Sequence, residues 1–247
     1  MSSSQIIESL VKNSIEIAAE ISPVFNDRRD AGYKLAELLK KKNYKKPVLI
    51  TIPSGGIPVA LPISERLDLP IHLAFAAKVR FSQDRRFGVG AVSSTGEALL
   101  NKEMLEDLPL DGDILEEGIK EAKLIIDEKI KELAGVTPSI PDLKGKTAIL
   151  VEDGIATGYT VLAAIKTLEL SRPDSVIIVS PVISDAANRK INNCGLELVF
   201  LEKQKGHSFL VDNYYHSFPQ ISVEDVRGML VGQNHERPKV IYEATGN

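Results

Sequence analysis

Two kinds of apolar pattern alternate along the chain. Short runs rich in β-branched residues are typical of strands buried on both faces, and they occur at Val48–Ile52, Ile71–Ala77, Gly88–Ser93, Thr147–Val151, Ser175–Pro181 and Leu196–Leu201. Apolar residues that recur every three or four positions predict helices at Gln5–Glu20, Asp27–Lys41, Ile57–Leu67, Asp113–Leu133, Tyr159–Leu170 and Ser184–Asn193. This alternation predicts an α/β fold with a mostly parallel, twisted sheet flanked by helices.

Two of the predicted strands end in glycine-containing turns that open helices. The turns are Pro53–Pro58 (PSGGIP) and Glu152–Thr160 (EDGIATGYT). Ligands of open α/β sheets bind at the carboxyl ends of the strands. We therefore expect the chemistry of the protein in these two turns.

The second turn has the features of an anion site. Its glycines, Gly154 and Gly158, allow the backbone to curl so that successive N–H groups point into one concavity at a helix N-terminus. Thr157 and Thr160 add hydroxyl donors on the same rim. A phosphate group is the ligand that such a loop favours.

Two acids stand directly before this anion loop. Glu152 and Asp153 would repel a phosphate that they faced, so neutral hydroxyls or a cation are their natural partners. A ligand with a terminal phosphate followed by a diol, such as ribose 5-phosphate, fits this order of charges. The alternative is that the acids only end a strand and cap a helix. A P-loop is not indicated, because the turn contains no lysine.

Composition excludes several classes of function. A formal net charge of -4 argues against nucleic-acid binding through a broad basic face. The lone Cys194 excludes an internal disulfide and a cysteine-based metal cluster, and no metal-ligand pattern surrounds the histidines. No apolar run is long enough to cross a membrane, and the start of the chain lacks a signal-peptide pattern. These features predict a cytoplasmic protein without a membrane partner.

The string Ile149–Val161 (ILVEDGIATGYTV) resembles the phosphoribosyl pyrophosphate signature of the type I phosphoribosyltransferases. Four further blocks resemble a family of predicted phosphoribosyltransferases: Phe25–Leu38, Ile52–Ala60, Lys78–Val92 and Phe209–Val226. The resemblance implies a transferase domain over residues 25–230, with a small hood at about residues 203–226. A helical extension over residues 1–24 and a tail over residues 231–247 would flank this domain.

The resemblance also implies roles for individual residues. Glu152 and Asp153 would bind the ribose hydroxyls and act in catalysis with Lys78, which would contact pyrophosphate. The 5-phosphate would lie in the loop formed by Ala156, Thr157, Gly158, Tyr159 and Thr160, and pyrophosphate in the turn formed by Ser54, Gly55 and Gly56. Mg²⁺ would be bound mainly through the substrate, without a metal site built from protein residues. A base-like acceptor and a homodimer are expected as well.

Three positions depart from the pattern of the family. Relatives carry arginine where this chain has Ser54 and, in some, Ala77, and many have an acid where this chain has Ala156. Transfer of ribose 5-phosphate to a nitrogenous base is therefore one hypothesis, and a non-catalytic regulator that keeps the pocket is another. A hydrolase or phosphotransferase acting on sugar phosphates is a third. Arg80, with Arg85 and Arg86, would restore positive charge or only solvate a loop.

Other charged and aromatic residues have more than one interpretation. Asp27 is expected to cap the second helix, and Arg28 and Arg29 to have a structural role or to reach a partner subunit. The stretch Phe81–Phe87 is a candidate cover for the site. The segment Phe209–Phe218, which includes Tyr214, Tyr215 and His216, would belong to the hood, and an aromatic residue there would stack on a planar base or pack in the interior.

Overall fold

The computed structural model describes residues 22–80, 88–107, 112–205 and 209–236. The predicted N-terminal helix, the candidate cover with Arg85 and Arg86, and residues 237–247 of the predicted tail lie outside the described residues. No helix in the described part is both long and apolar enough to span a membrane.

A five-stranded parallel sheet forms the centre of the fold. Its strands are β1 (Pro47–Thr51), β2 (Ile71–Leu73), β6 (Thr147–Val151), β7 (Ser175–Ile183) and β8 (Glu197–Lys203). They lie in the order β2-β1-β6-β7-β8, and every pairing is parallel. The predicted α/β fold with a mostly parallel sheet is thereby confirmed.

Helices cover both faces of this sheet. They are α1 (Arg28–Lys40), α2 (Gly56–Leu67) and α7 (Val223–Glu236) on one face, and α5 (Tyr159–Glu169) and α6 (Asp185–Asn193) on the other. Successive residues of the central strands point alternately to the two faces of the sheet. The core on the first face contains Leu49, Ile149 and Ile177, and the core on the second face contains Ile50, Leu150 and Ile178. Burial on both faces explains why these strands are continuous apolar runs.

A second, antiparallel sheet is inserted between β2 and β6. It contains β3 (Ala76–Val79), β4 (Gly90–Ser93) and β5 (Ala98–Leu100), followed by the helices α3 (Lys102–Asp107) and α4 (Gly112–Glu132). The expectation of a single strand over Ile71–Ala77 was wrong. The parallel pairing ends where the Ala74 amide donates to the Thr51 carbonyl, and Ala76 already pairs with Ser93. Lys78 therefore belongs to the second sheet.

Gly32 brings α1 into close contact with α2. A Cβ atom at this position would lie 2.4 Å from the Val59 carbonyl oxygen and 3.0 Å from Pro62 Cγ. The Asp27 side chain caps α1 by accepting from the Asp30 amide, which confirms the expected cap. The position of α1 is thus set by a backbone-to-backbone contact at one glycine.

We expect Gly32→Ala to lower the free energy of unfolding by about 1 to 3 kcal/mol, because the added methyl group overpacks the α1–α2 contact. Gly228→Ala is the matched control, since a Cβ atom at exposed Gly228 in α7 meets nothing within 4 Å. That control should raise the free energy of unfolding by about 0.5 to 1 kcal/mol through helix propensity. Urea denaturation measures both, and equal effects of the two variants would refute the close contact.

Candidate functional site

The loop after β6 is held in place by the end of β7 and the start of α6. The Ile155 amide donates to the Val182 carbonyl at 3.0 Å, and the Ser184 amide donates to the Ile155 carbonyl at 2.9 Å. The Ser184 hydroxyl, which also caps α6, donates to the Ala156 carbonyl at 2.5 Å. The backbone of the candidate phosphate loop is therefore fixed on both sides.

Two glycines are required in this loop. Gly158 has φ +81° and directly precedes α5, whose N-terminus carries no side-chain cap. A Cβ atom at Gly154 would lie 2.3 Å from Val211 Cγ1. Because no side chain of the described residues caps this N-terminus, the N–H groups of the first turn of α5 suit an anion.

A cavity of about 300 Å³ opens beside the loop. It brings together seven of the predicted site residues: Lys78, Glu152, Asp153, Ala156, Thr157, Gly158 and Thr160. The ring of Tyr159 lies outside its lining, below the Lys190 ammonium, which is 3.3 Å from the ring centroid. The turn of Ser54, Gly55 and Gly56 is outside the lining as well.

The Asp153 carboxylate forms an ion pair with Arg28. Arg28 Nε lies 2.8 Å from Asp153 Oδ2, and the two side chains are only 8% and 14% exposed. The same guanidinium donates to the Pro219 carbonyl at 2.8 Å and stacks 3.5 Å from the centroid of the Phe218 ring. Arg28 thus contacts a candidate site residue of its own chain, a contact that the expected structural role did not specify.

Glu152 lies in a contrasting environment. Its Oε1 atom accepts from the Asp153 amide at 3.2 Å, whereas its Oε2 atom is buried without a hydrogen-bond partner in the described structure. Burial first, and the neighbouring Asp153 carboxylate next, raise the pKa of Glu152 well above its ordinary value. An unpartnered oxygen of this kind suits a ligand that brings a hydroxyl or a cation.

The aromatic segment beside the cavity contains two buried tyrosines and one phenylalanine that lines the cavity. The Tyr215 hydroxyl donates to the Asp153 carbonyl at 2.5 Å, and burial raises the pKa of Tyr215, so that it remains a proton donor. Tyr214 and Tyr215 are packed in the interior, whereas Phe218 lines the cavity. The sequence indicated the aromatic segment Phe209–Phe218 as a whole, and the structure places Phe218 of this segment at the cavity.

The turn after β1 packs closely against the acids. A Cβ atom at Gly55 would lie 2.2 Å from Asp153 Oδ2, and one at Gly56 would lie 2.4 Å from Thr51 Oγ1. Lys129 Nζ, from α4, donates to the Pro53 carbonyl at 3.0 Å. Lys129 was not among the predicted site residues, and its partner lies in a turn 76 residues earlier in the chain.

The candidate site consists of a glycine-containing loop at a helix N-terminus and two carboxylates at the strand ends of a parallel sheet, where ligands of α/β proteins bind. A family profile described as "Phosphoribosyl transferase domain" matches residues 27–198. This chain therefore belongs to the phosphoribosyltransferase family, as its resemblance to the type I enzymes predicted.

Individual relatives agree with this assignment. The crystal structure of TT1426 from Thermus thermophilus superimposes with a TM-score of 0.65 at 30% identity, covering 84% of this chain and 98% of that one. Proteins provisionally named phosphoribosyl transferases in two Mycobacterium tuberculosis strains are 28% identical over 207 residues, 84% of this chain and 46% of theirs. The chain thus spans about half the length of these curated relatives. A ribose-phosphate pyrophosphokinase of Thermosipho africanus is 32% identical over 84 residues, 33% of this chain and 27% of that protein.

Glu152→Gln should raise the free energy of unfolding of the ligand-free protein at pH 7. Because the pKa of Glu152 is raised in the folded state, ionised Glu152 opposes folding, and a neutral amide removes this effect. The difference should shrink as the pH falls towards about 4, where the glutamate is protonated in both states.

Urea denaturation between pH 4 and pH 8 measures this difference. Asp153→Asn is the control of opposite sign, since it leaves the buried Arg28 without its counter-charge and should cost about 2 kcal/mol at pH 7. A Glu152→Gln variant that is less stable than the wild type across the whole range would contradict the unpartnered carboxylate.

Proposed function

We propose that this protein binds phosphoribosyl pyrophosphate and transfers its ribose 5-phosphate to a nitrogenous base or related acceptor, releasing pyrophosphate. The observation that carries the proposal is the arrangement of one cavity, which the Ala156–Thr160 anion loop and the Glu152 and Asp153 carboxylates line together. Family membership supports the reaction class. A panel of candidate bases would identify the acceptor.

The cavity matches the two ends of a ribose 5-phosphate. The phosphate would accept from the N–H groups at the start of α5 and from Thr157 and Thr160. The 2′- and 3′-hydroxyls would donate to the two carboxylates, and Glu152 Oε2 is free for this purpose within the described residues. Arg28 holds Asp153 in one orientation before the substrate arrives.

Transfer breaks the bond between the anomeric carbon and a pyrophosphate oxygen and forms a bond to the acceptor nitrogen. Positive charge develops on the ribose ring, and negative charge develops on the leaving group. Glu152 and Asp153 stabilise the ring charge, and Lys78 with the backbone of Gly55 and Gly56 stabilises the leaving group. These are the catalytic and binding roles that we assign.

Magnesium fits this site as a cation bound through the substrate. Across the part of the chain that the structure describes, no group of three or more acidic, histidine or cysteine side chains forms a metal-ligand set. Glu152 and Asp153 would contact the ion through the ribose hydroxyls that they bind. When bound, Mg²⁺ offsets the charge of the pyrophosphate.

The acceptor would enter on the side that Val211 and Phe218 line. The Phe218 ring packs against the Arg28 guanidinium and the Tyr215 ring, and a planar base would contact the part of Phe218 that lines the cavity. This segment belongs to the hood that we propose at about residues 203–226. Ala156 provides no acid to assist the base, which disfavours a purine that relies on such a group.

A non-catalytic regulator that binds the same ligand is the second candidate. Ser54, Ala77 and Ala156 favour it, because the family usually has arginine at the first position, sometimes arginine at the second and often an acid at the third. A homodimer and a cytoplasmic location remain predictions of the sequence. Light scattering after gel filtration would measure the first of these.

Incubation with phosphoribosyl pyrophosphate, Mg²⁺ and a panel of purine, pyrimidine and nicotinate-type bases should release pyrophosphate with one class of base. Coupled detection of pyrophosphate measures the release, and a reaction without base is the control. Tight binding without release across the panel would reject the transferase and support the regulator.

Glu152→Gln should weaken phosphoribosyl pyrophosphate binding about tenfold or more, because a charged hydrogen bond to a ribose hydroxyl is lost. The same variant is expected to be more stable than the wild type at pH 7, so unfolding cannot explain the loss. Isothermal titration calorimetry measures the affinity. Unchanged affinity would show that the ribose binds elsewhere.

A further inference from the structure

Lys129 is a lysine on the buried face of an amphipathic helix. It follows the core residues Ala122 and Ile126 of α4 by seven and three positions, so that it projects from the same side of the helix. Lys123 and Lys131 on the same helix are exposed to solvent, whereas Lys129 is half-buried. A buried ammonium requires partners that compensate for its lost hydration.

The partners of Lys129 belong to the candidate site. Its Nζ donates to the Pro53 carbonyl at 3.0 Å, at the start of the turn that leads into α2. Burial lowers the pKa of Lys129, the Glu152 carboxylate acts in the opposite direction, and Arg80 adds to the lowering. The ammonium therefore lies within electrostatic range of the buried carboxylate and of a second cation.

The turn whose Pro53 carbonyl accepts from Lys129 also packs against the candidate site. Gly55 packs on the Asp153 carboxylate, as the 2.2 Å approach of a Cβ atom at that position demonstrates. Neither Ser54 in this turn nor Ala77 at the edge of the second sheet carries a charge. Positive charge beside the turn is delivered instead by a helix that follows the second sheet.

We propose that Lys129 is a positioning residue for the pyrophosphate half of the site, which fixes the Pro53–Gly56 turn through the Pro53 carbonyl and supplies the positive charge that Ser54 and Ala77 lack. This inference rests on the proposed function. Helix α4, which contains none of the predicted site residues, thus contributes a positive charge beside the leaving group. It also weakens the case for a regulator, since the missing charge has a replacement.

The two halves of the substrate can be tested separately. Titration calorimetry with magnesium pyrophosphate and, independently, with ribose 5-phosphate would compare the wild type with Lys129→Met, which removes the charge and the hydrogen bond. Lys129→Gln removes the charge and keeps a donor for the Pro53 carbonyl. Lys131→Met, at an exposed position of the same helix, is the matched control.

We expect both Lys129 variants to bind pyrophosphate about tenfold more weakly, while ribose 5-phosphate affinity stays within about twofold and Lys131→Met behaves as wild type. Pyrophosphate affinity that is unchanged in Lys129→Met, or retained in Lys129→Gln, would overturn the inference. So would an equal loss for both ligands, which is the signature of general damage to the fold. A wild-type protein that binds neither ligand would instead reject the proposed function, and the inference with it.

Discussion

Two adjacent carboxylates end the central strand of the sheet, and the surrounding structure has to hold them where little water reaches. The charge of Asp153 is balanced by Arg28 at 2.8 Å, and this pair determines much of what lies around it. Arg28 in turn fixes Pro219 and stacks on Phe218, so the far wall of the cavity is positioned by the same guanidinium. Glu152 has no equivalent partner for its Oε2 atom within the described residues. The two neighbouring acids thus differ in their partners: Asp153 has a charged one, whereas one Glu152 oxygen has none within the described residues. This difference is the central constraint of the site.

The difference between the two carboxylates leaves one buried hydrogen-bond acceptor for a ligand. A buried oxygen without a hydrogen bond lowers the stability of the free protein, and a ligand that supplies a donor recovers that loss on binding. The central strands are buried on both faces, and the loops at their ends are tied to neighbouring elements, as Ser184 ties the loop after β6. The sheet thus holds the strand ends in position around the cavity.

The sequence predicts those parts of the fold that depend on residues close together in the chain. Strands β1, β6 and β7 were recognisable because both of their faces are apolar, and Asp27 was recognisable as a cap from its place before a helix. The change of sheet after Leu73 was not, because an apolar run does not indicate where its pairing partner changes. The contacts of Arg28 and Lys129 beside the candidate site were not predicted, because their partners are distant in sequence. For Lys129, its place on the apolar face of α4 was a signal that could have been read.

The contacts of Arg28 also have a consequence for the synthesis of the protein. This residue meets Asp153 across 125 positions and Pro219 across 191 positions. A nascent chain emerges from the ribosome with α1 among its first described segments, yet Arg28 finds its last partner only when nearly all of the domain has been translated. The full set of Arg28 contacts therefore cannot form until residue 219 has left the ribosome, long after α1 has been synthesised.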